Sequence, residues 1–590
     1  MQKQILTGNE AVARGAYEAG CSLAAAYPGT PSTEILENMV QYKDKIYSQW
    51  ACNEKVAAEI AAGASIGGLR TLCAMKHVGM NVAADPIFTM GYAGVNGGMV
   101  IVTADDPGCH SSQNEQDNRH YAPHSKIMML EPSDSQECRD FTIAAFELSE
   151  RFDTPVLLRV TTRVCHSKSI VELGERREIG AKKYERKTDK YAMLPTTARA
   201  RHKAREELLK KVLEYSNDCP FNRAEIIPGT TVGVVTSGIS FQYSREVFGD
   251  SASYLKLGLT YPLPDKLMAD FARRFDTLYV VEENDPYLEH ELQRIGFSPV
   301  GKEKIPILGE LNTQIVREAL LGQKNEELHS STALPGRPPV MCPGCPHRGF
   351  FYTLSKNSAK IVGVGDIGCY GLGVSPPLNG FDFSICMGAG LSATIGFSKA
   401  LAAQGDKRKV LGMVGDSTFF HSGLTSLIDV VTSGANVIAC VLDNSITAMT
   451  GHQENPGTSK NLMGDPTPSV DILPVIRSLG VGEDRIRVVD PLDLAAVQSA
   501  MDAALAVTGP FVIVTRRPCV LIRSVAQANA GKYCKIDPSK CVGCKMCTKI
   551  ACPAMAFSEG KSMIADPASC TGCGLCAQLC KFDAIERVGA

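Results

Sequence analysis

The sequence predicts an α/β protein of three open α/β units followed by a small cysteine-rich domain, and three observations predict it. Short apolar runs alternate with helical patterns from Ile5 to Ala526, as in the strand-helix repeats of parallel sheets. The length of 590 residues corresponds to about four domains at roughly 150 residues each. Of the 22 cysteines, nine lie between Cys534 and Cys580, a density that marks a separate metal-binding module. Lys and Arg total 61 against 63 Asp and Glu, so no global positive field recruits nucleic acid or anionic lipid. No apolar run approaches the roughly 20 residues that cross a bilayer, and Met1-Gln-Lys-Gln-Ile-Leu-Thr-Gly lacks the apolar region of a signal peptide. The expectation is a cytoplasmic protein with reduced cysteines and neither nucleic-acid nor membrane partners.

Residues 1–185 form the first unit. Met99-Val-Ile-Val-Thr and Val156-Leu-Leu-Arg-Val read as buried strands, Ala57 to Ser65 and Asp134 to Glu150 as helices. Ser133 and Asp134 are candidate caps of the latter, with Gln136 and Glu137 in its first turn. Residues 186–228 are highly charged and read as a solvated connector with an exposed helix. The second unit, 229–325, has Thr231-Val-Gly-Val-Val-Thr and Leu278-Tyr-Val-Val-Glu-Glu as strands. A joint, Leu334-Pro-Gly-Arg-Pro-Pro, excludes regular structure before the third unit, 340–527. There Val410-Leu-Gly-Met-Val-Gly, Val437-Ile-Ala-Cys-Val-Leu and Phe511-Val-Ile-Val-Thr are the strands. The cysteine module, 530–590, completes the chain.

That module contains two runs, Cys541-x2-Cys544-x2-Cys547-x4-Cys552-Pro and Cys570-x2-Cys573-x2-Cys576-x3-Cys580. A [4Fe-4S] cubane takes four thiolates. Three come from one tight run, and the last cysteine of each run reaches the neighbouring cluster. One cluster is thereby assigned Cys541, Cys544, Cys547 and Cys580, the other Cys570, Cys573, Cys576 and Cys552. Zinc ribbons use paired x2 motifs and suit this pattern poorly. The module resembles bacterial two-cluster ferredoxins, departing in the x4 gap and in Lys581 after the last cysteine. Cys534 falls outside both quartets and reads as a spare thiol.

In the third unit Gly415-Asp416-Ser417 ends one strand and Asp443-Asn444 the next. Ligands of open α/β sheets bind at this carboxyl edge. Asp416, the Asn444 amide and the Ile446 carbonyl make a hard-oxygen set for Mg2+ whose remaining ligands are phosphate oxygens. The spacing resembles the thiamine diphosphate motif, with Ser417 for its usual Gly and Asp443 for its first Asn. Gly363-Val-Gly365-Asp-Ile-Gly368 satisfies the dinucleotide fingerprint literally, but the prolines and glycines that follow forbid its helix.

Taken together, Met341-Cys342-Pro-Gly-Cys345-Pro-His-Arg, Gly365-Asp-Ile-Gly-Cys369-Tyr, Met387-Gly388-Ala-Gly, Gly415-Asp-Ser and Asp443-Asn-Ser-Ile-Thr-Ala-Met-Thr-Gly-His-Gln resemble the thiamine half of the 2-oxoacid:ferredoxin oxidoreductases. Tyr27-Pro-Gly-Thr30-Pro-Ser and the terminal ferredoxin module extend the resemblance over the chain, most closely to the large subunit of the branch that oxidises indolepyruvate. The resemblance implies that the first unit binds the cofactor's pyrimidine and the third its diphosphate, with Gly388, Gly415 and Ser417 against the cofactor. The second is implied to be transketolase C-terminal-like. It gives Glu54, in Asn53-Glu54-x2-Ala57-Ala58-x4-Gly63-Ala64, the carboxyl that activates the aminopyrimidine, with Glu59 a rival, and Thr30 a contact to the substrate carboxylate. It also implies a third [4Fe-4S] cluster beside the thiamine, held by Cys342, Cys345, Cys369 and, as the fourth, Cys519. Cys21, Cys52, Cys73 and Cys440 read as core.

The implied reaction is oxidative decarboxylation of an aryl 2-oxo acid with coenzyme A, giving the arylacetyl-CoA, CO2 and reduced ferredoxin. The implied partner is a smaller beta subunit carrying the family's gamma-like domain, in an α2β2 complex. Rival readings are a sister enzyme for another 2-oxo acid and a non-oxidative thiamine decarboxylase, which would leave the clusters idle.

Overall fold

A parallel strand covered on both faces has no solvent side, so its sequence is apolar throughout rather than alternating. Met99–Asp105 and Val156–Thr161 are buried at every residue and mostly apolar, and their two charged residues, Asp105 and Arg159, pair with each other. In the computed structural model, which describes residues 2–324, 332, 336 and 338–589, the two strands pair in parallel with Val102 opposite Leu158. The chain divides into two compact units, Met1–Ser331 and Thr332–Ala590. Of the proline-rich joint, Leu334, Pro335 and Arg337 lie outside the described residues.

In the first unit a seven-stranded sheet runs in the order Leu259–Tyr261, Met128–Leu130, Val156–Thr161, Met99–Asp105, Thr71–Lys76, Leu23–Ala26, Tyr47–Trp50. All neighbours are parallel except Leu259–Tyr261, which adds antiparallel at the edge. Helix Glu54–Ile66 follows the Asn53 cap, whose side chain accepts from the Val56 amide at 2.9 Å. Helix Ser135–Arg151 is capped by Asp134, which accepts from the Glu137 amide at 2.9 Å. The Glu137 carboxylate in turn accepts from the Ser133 amide and hydroxyl at 2.9 and 2.8 Å. Such a cap contributes about 1 kcal/mol.

A second, four-stranded sheet has the order Thr277–Val281, Val232–Ser237, Ser253–Leu257, Arg223–Glu225. Two of its features differ from the sequence reading. The charged connector holds a 24-residue helix, Pro195–Asp218, but also ends in a strand, Arg223–Glu225, which pairs antiparallel with Ser253–Leu257. An edge strand presents unpaired backbone groups, and the returning connector satisfies them. Leu259–Tyr261, read with the second unit, completes the first sheet instead. A buried ion pair from Arg119 to Glu282 at 2.5 Å ties the two layers, while Arg119 also pairs with Asp117 at 2.6 Å and, within the seven-stranded layer, Arg159 pairs with Asp105 and Glu131 at 2.8 Å each. Charges so deeply buried persist only when paired.

The compact unit Thr332–Ala590 is built on a five-stranded parallel sheet in the order Ile361–Val364, Lys409–Gly415, Val437–Asp443, Phe511–Arg516, Ile486–Val489. After Ile361–Val364 the glycine-rich segment forms a short 3₁₀ turn, Cys369–Val374, in place of the helix a dinucleotide site requires. The C-terminal module consists of two small antiparallel pairs, Tyr533–Ile536 with Ile585–Val588 and Met555–Ser558 with Lys561–Ile564. Its Ile550 and Leu575 share a core with Phe350, Phe351 and Leu492, so module and sheet form one packed body. Cys21, Cys73 and Cys440 are buried, whereas Cys52 is only half-buried because it lies in the turn after the edge strand Tyr47–Trp50. Among the described residues no helix is long and apolar enough to cross a membrane.

Candidate active site

Adjacent parallel strands end level with one another, so the residues just beyond them converge at one sheet edge. Gly415 faces Leu442 across neighbouring strands, which brings Asp416 beside Asp443 and Asn444. Asp416 is 4 % exposed. Burial, reinforced by the Asp443 charge, pushes its carboxyl up to about 7, and the Asn455 amide donates to it at 3.1 Å. The Asp443 carboxylate is already committed to Arg516 at 2.8 Å and to the Ser445 amide at 3.0 Å. Asn444 accepts from the Ile446 amide at 3.3 Å in a turn that puts Ser445 at φ +61°. Thr447 donates to Ser417 at 3.0 Å, linking the two segments. A buried carboxylate, an amide oxygen and a main-chain carbonyl at the sheet edge are oxygen donors of the kind Mg2+ selects, so Asp416, Asn444 and Ile446 fit a diphosphate-bound ion.

The neighbouring strand end carries a second buried carboxylate. Asp366, 1 % exposed, accepts from the Tyr370 hydroxyl and the Gly388 amide at 2.7 Å each. Its carboxyl is pushed up to about 6 by burial against these hydrogen bonds. The Tyr370 ring lies so close to the strand end that a Cβ at Gly415 would come within 2.6 Å of it. Gly388, at φ +87°, caps helix Ala389–Ala403, and a Cβ there would meet Ser422 Oγ at 2.2 Å. Both glycines are therefore required by shape.

In the first unit Glu54 opens helix Glu54–Ile66 and is 4 % exposed. Gly79 leaves it room: a Cβ there would lie 2.7 Å from Glu54 Cγ. Glu59 is exposed and paired with Lys55. Thr30 is half-buried in the loop after strand Leu23–Ala26. Lys76, absent from the sequence reading, packs its stem 3.1 Å from where a Gly29 Cβ would stand and donates to the Ser111 carbonyl at 3.0 Å. Burial draws its ammonium below the usual range, with Asp106 and Glu54 acting in the opposite sense.

The cysteines gather in three groups. Cys547 has Cys580 and Cys541 as electrostatic neighbours, and Cys541 is held below the usual thiol range by backbone N–H donation from Gly543 and Ser562. Cys544 is exposed on the same loop. A small cavity is lined by Cys552, Cys570, Cys573 and Cys576. Cys534, read as a spare thiol, is buried at that cavity's wall, and its amide donates to Cys570 Sγ at 3.3 Å. The third group lies at the sheet edge: Cys519 and Cys342 neighbour Cys369, while Cys369 and Cys342 neighbour Cys345. Cys519 is held there by its amide, which donates to the Asn444 carbonyl at 2.9 Å.

Asp366, Tyr370, Asn455 and Lys76 carry site geometry that the sequence reading missed. Asp366 had a legible signal, since Gly365-Asp366 ends a strand just as Gly415-Asp416 does. Asn455 and Lys76 had none, because each reaches its partner only through the folded chain.

Three family models match the chain. Residues 14–218 match the thiamine diphosphate-binding region of pyruvate flavodoxin/ferredoxin oxidoreductase, 366–515 the C-terminal binding domain of thiamine pyrophosphate enzymes, and 563–586 a 4Fe-4S binding domain. These domains together define a thiamine diphosphate-dependent 2-oxoacid:ferredoxin oxidoreductase. Indolepyruvate oxidoreductase subunit IorA of Archaeoglobus fulgidus is 38 % identical over 95 % of this chain and 98 % of its own length. The same subunit of Pyrococcus abyssi is 39 % identical over 100 % of this chain and 97 % of its own. The chain belongs to this family of indolepyruvate oxidoreductase IorA subunits. Among solved structures, a 2-oxoglutarate:ferredoxin oxidoreductase from Magnetococcus marinus aligns with a TM-score of 0.46 at 18 % identity, over 54 % of this chain and 65 % of that one.

Proposed function

We propose that the chain is the large subunit of an enzyme that converts an aryl 2-oxo acid, indolepyruvate, and coenzyme A into the arylacetyl-CoA and CO2, reducing ferredoxin. Full-length similarity to IorA subunits supports the substrate. Bound thiamine diphosphate supplies the sink for the electron pair released as CO2 leaves a 2-oxo acid. Glu54 holds a proton at the aminopyrimidine ring nitrogen, and Thr30 orients the substrate carboxylate. Asp416, Asn444 and the Ile446 carbonyl hold the Mg2+ that fixes the diphosphate, against Gly388, Gly415 and Ser417. The observation that carries the oxidative reading is the hydrogen bond from the Cys519 amide to the Asn444 carbonyl. It joins the electron-accepting site to the cofactor site.

Three [4Fe-4S] clusters follow: Cys342, Cys345, Cys369 and Cys519 beside the cofactor, then Cys552, Cys570, Cys573 and Cys576, and Cys541, Cys544, Cys547 and Cys580. Each takes one electron at a time. The purified complex is expected to hold about twelve irons per large subunit. Cys519→Ser is expected to lose about a third of them together with one EPR signal. About eight irons, unaltered by Cys519→Ser, would sink the third cluster.

The complex is proposed as a cytoplasmic α2β2 assembly with a smaller beta subunit. The test is anaerobic dye and ferredoxin reduction by the co-expressed subunits with a panel of 2-oxo acids, with and without coenzyme A. The expected result is arylpyruvate turnover that depends on coenzyme A, with little turnover by the large subunit alone. Preference for pyruvate or 2-oxoglutarate would overturn the substrate, and full activity without a partner would overturn the assembly.

A further inference from the structure

Arg348 is among the most completely buried large side chains of the protein, at 2 % exposure. Its guanidinium reaches in two directions. Nε donates to the Cys342 carbonyl at 2.9 Å and Nη2 to the Met341 carbonyl. Nη1 donates to the Ile550 carbonyl at 3.2 Å and to the Ala551 carbonyl. The first pair belongs to the loop that carries Cys342 and Cys345, the second to the turn that leads into Cys552. The same side chain lines the cavity of Cys552, Cys570, Cys573 and Cys576.

Every hydrogen bond of this guanidinium ends on a main-chain carbonyl, and among the described residues no carboxylate pairs with it. A buried charge without a counter-charge is costly. Arg119 and Arg159, also buried, each have carboxylate partners, whereas Arg205, at 3 % exposure, bonds like Arg348 to a main-chain carbonyl, that of Lys126. The groups that offer Arg348 negative charge are the thiols of Cys552, Cys345, Cys342 and Cys573. A cubane held by four thiolates carries net negative charge, and reduction adds to it. Two such cubanes flanking one guanidinium would supply the missing counter-charge. A fixed cation beside a cluster favours its reduced form.

We propose that Arg348 is a positioning residue for electron transfer, its guanidinium serving as the shared counter-charge of the Cys342/Cys345/Cys369/Cys519 cluster and the Cys552/Cys570/Cys573/Cys576 cluster and raising the reduction potential of both. The proposal rests on the cluster assignments above and goes beyond them in making one side chain set two potentials together. The carbonyl bonds fix the cation between the two loops. None of Cys541, Cys544, Cys547 and Cys580 lines the cavity that Arg348 lines or accepts from its guanidinium, so their cluster serves as an internal reference.

The experiment is an EPR-monitored potentiometric titration of the co-expressed complex, iron being counted first. Arg348→Met is expected to shift the midpoints of the two flanking clusters downward and leave the third unshifted. Arg348→Lys, which keeps the charge but not the forked donors, is expected to retain values close to wild type. Unshifted midpoints in Arg348→Met at full iron content, or an equal shift of all three, would overturn the proposal. Where Arg348→Met does not retain its iron, Arg348→Lys decides: wild-type midpoints support the charge, and lowered midpoints at full iron overturn it. A wild-type count of about eight irons would instead refute the cluster reading and, with it, the shared role.

Discussion

Replacing Glu54 with glutamine is expected to lower the anaerobic turnover of the complex ~10²–10⁴-fold, the range of a lost general acid or base, with iron content unchanged. Glutamine conserves the volume of the side chain, so helix Glu54–Ile66 and its Asn53 cap should be untouched. Its neutral amide cannot hold the proton that a carboxyl shares with the aminopyrimidine ring. Burial makes the difference specific: Glu54 is 4 % exposed, and water cannot readily substitute as proton carrier. Glu59 provides the control. It sits on the same helix but at the surface, paired with Lys55, and a surface ion pair contributes about 0–1 kcal/mol. Glu59→Gln should therefore leave kcat at the wild-type value. The measurement is kcat for dye reduction in both variants. An equal loss in the two, or none in Glu54→Gln, would remove Glu54 from the chemistry.

Asp416→Ala is expected to abolish retention of thiamine diphosphate, read as bound thiamine after gel filtration in Mg2+ buffer, and to reduce turnover to background. The carboxylate is the one charged donor of the proposed metal set, since Asn444 and Ile446 offer neutral oxygens and Asp443 is engaged by Arg516. Without it two neutral ligands remain for an ion that gives up its water reluctantly. Folding should survive, because burial and the Asp443 charge disfavour the ionised carboxyl in the metal-free protein and offset the loss of its hydrogen bond from Asn455. Thermal unfolding in EDTA should accordingly be no earlier in the variant than in wild type. In Mg2+ and cofactor only wild type should gain stability, as binding to the folded state requires. A variant that keeps its thiamine would show that the cofactor is anchored elsewhere.

Much of the architecture was legible because its signals are local. Parallel strands buried on both faces must be apolar throughout, which exposed Met99–Asp105, Lys409–Gly415 and Val437–Asp443 as runs in the sequence. The Asp134 cap could be read because the cap and its amide partner are three residues apart. Less legible were Arg223–Glu225 and Leu259–Tyr261. Three-residue edge strands carry too few positions for any period to show, and their pairing is settled by which open edge lies within reach. The two cysteine runs could be recognised by spacing alone, because a cubane sets its thiolates through tight loops of the chain. The place of Cys534 was not legible for the complementary reason: nothing in its spacing tells that strand Tyr533–Ile536 carries it to the cavity wall.

By itself the sequence determined the class of the protein: α/β units, a Gly-Asp strand end with an Asn one strand later, and a ferredoxin module. These depend on covalent spacing and on strand and helix periods, which act over a few residues. Only the tertiary structure decided that Glu54 is buried and Glu59 is not, and that Cys519 comes beside Asn444 and Cys369. It alone showed that Tyr370 fills the space a side chain at Gly415 would need, and that Arg348 bridges two cysteine loops about 200 residues apart. Convergence of this kind follows from parallel crossovers, which bring distant segments to one sheet edge and leave no trace in local spacing.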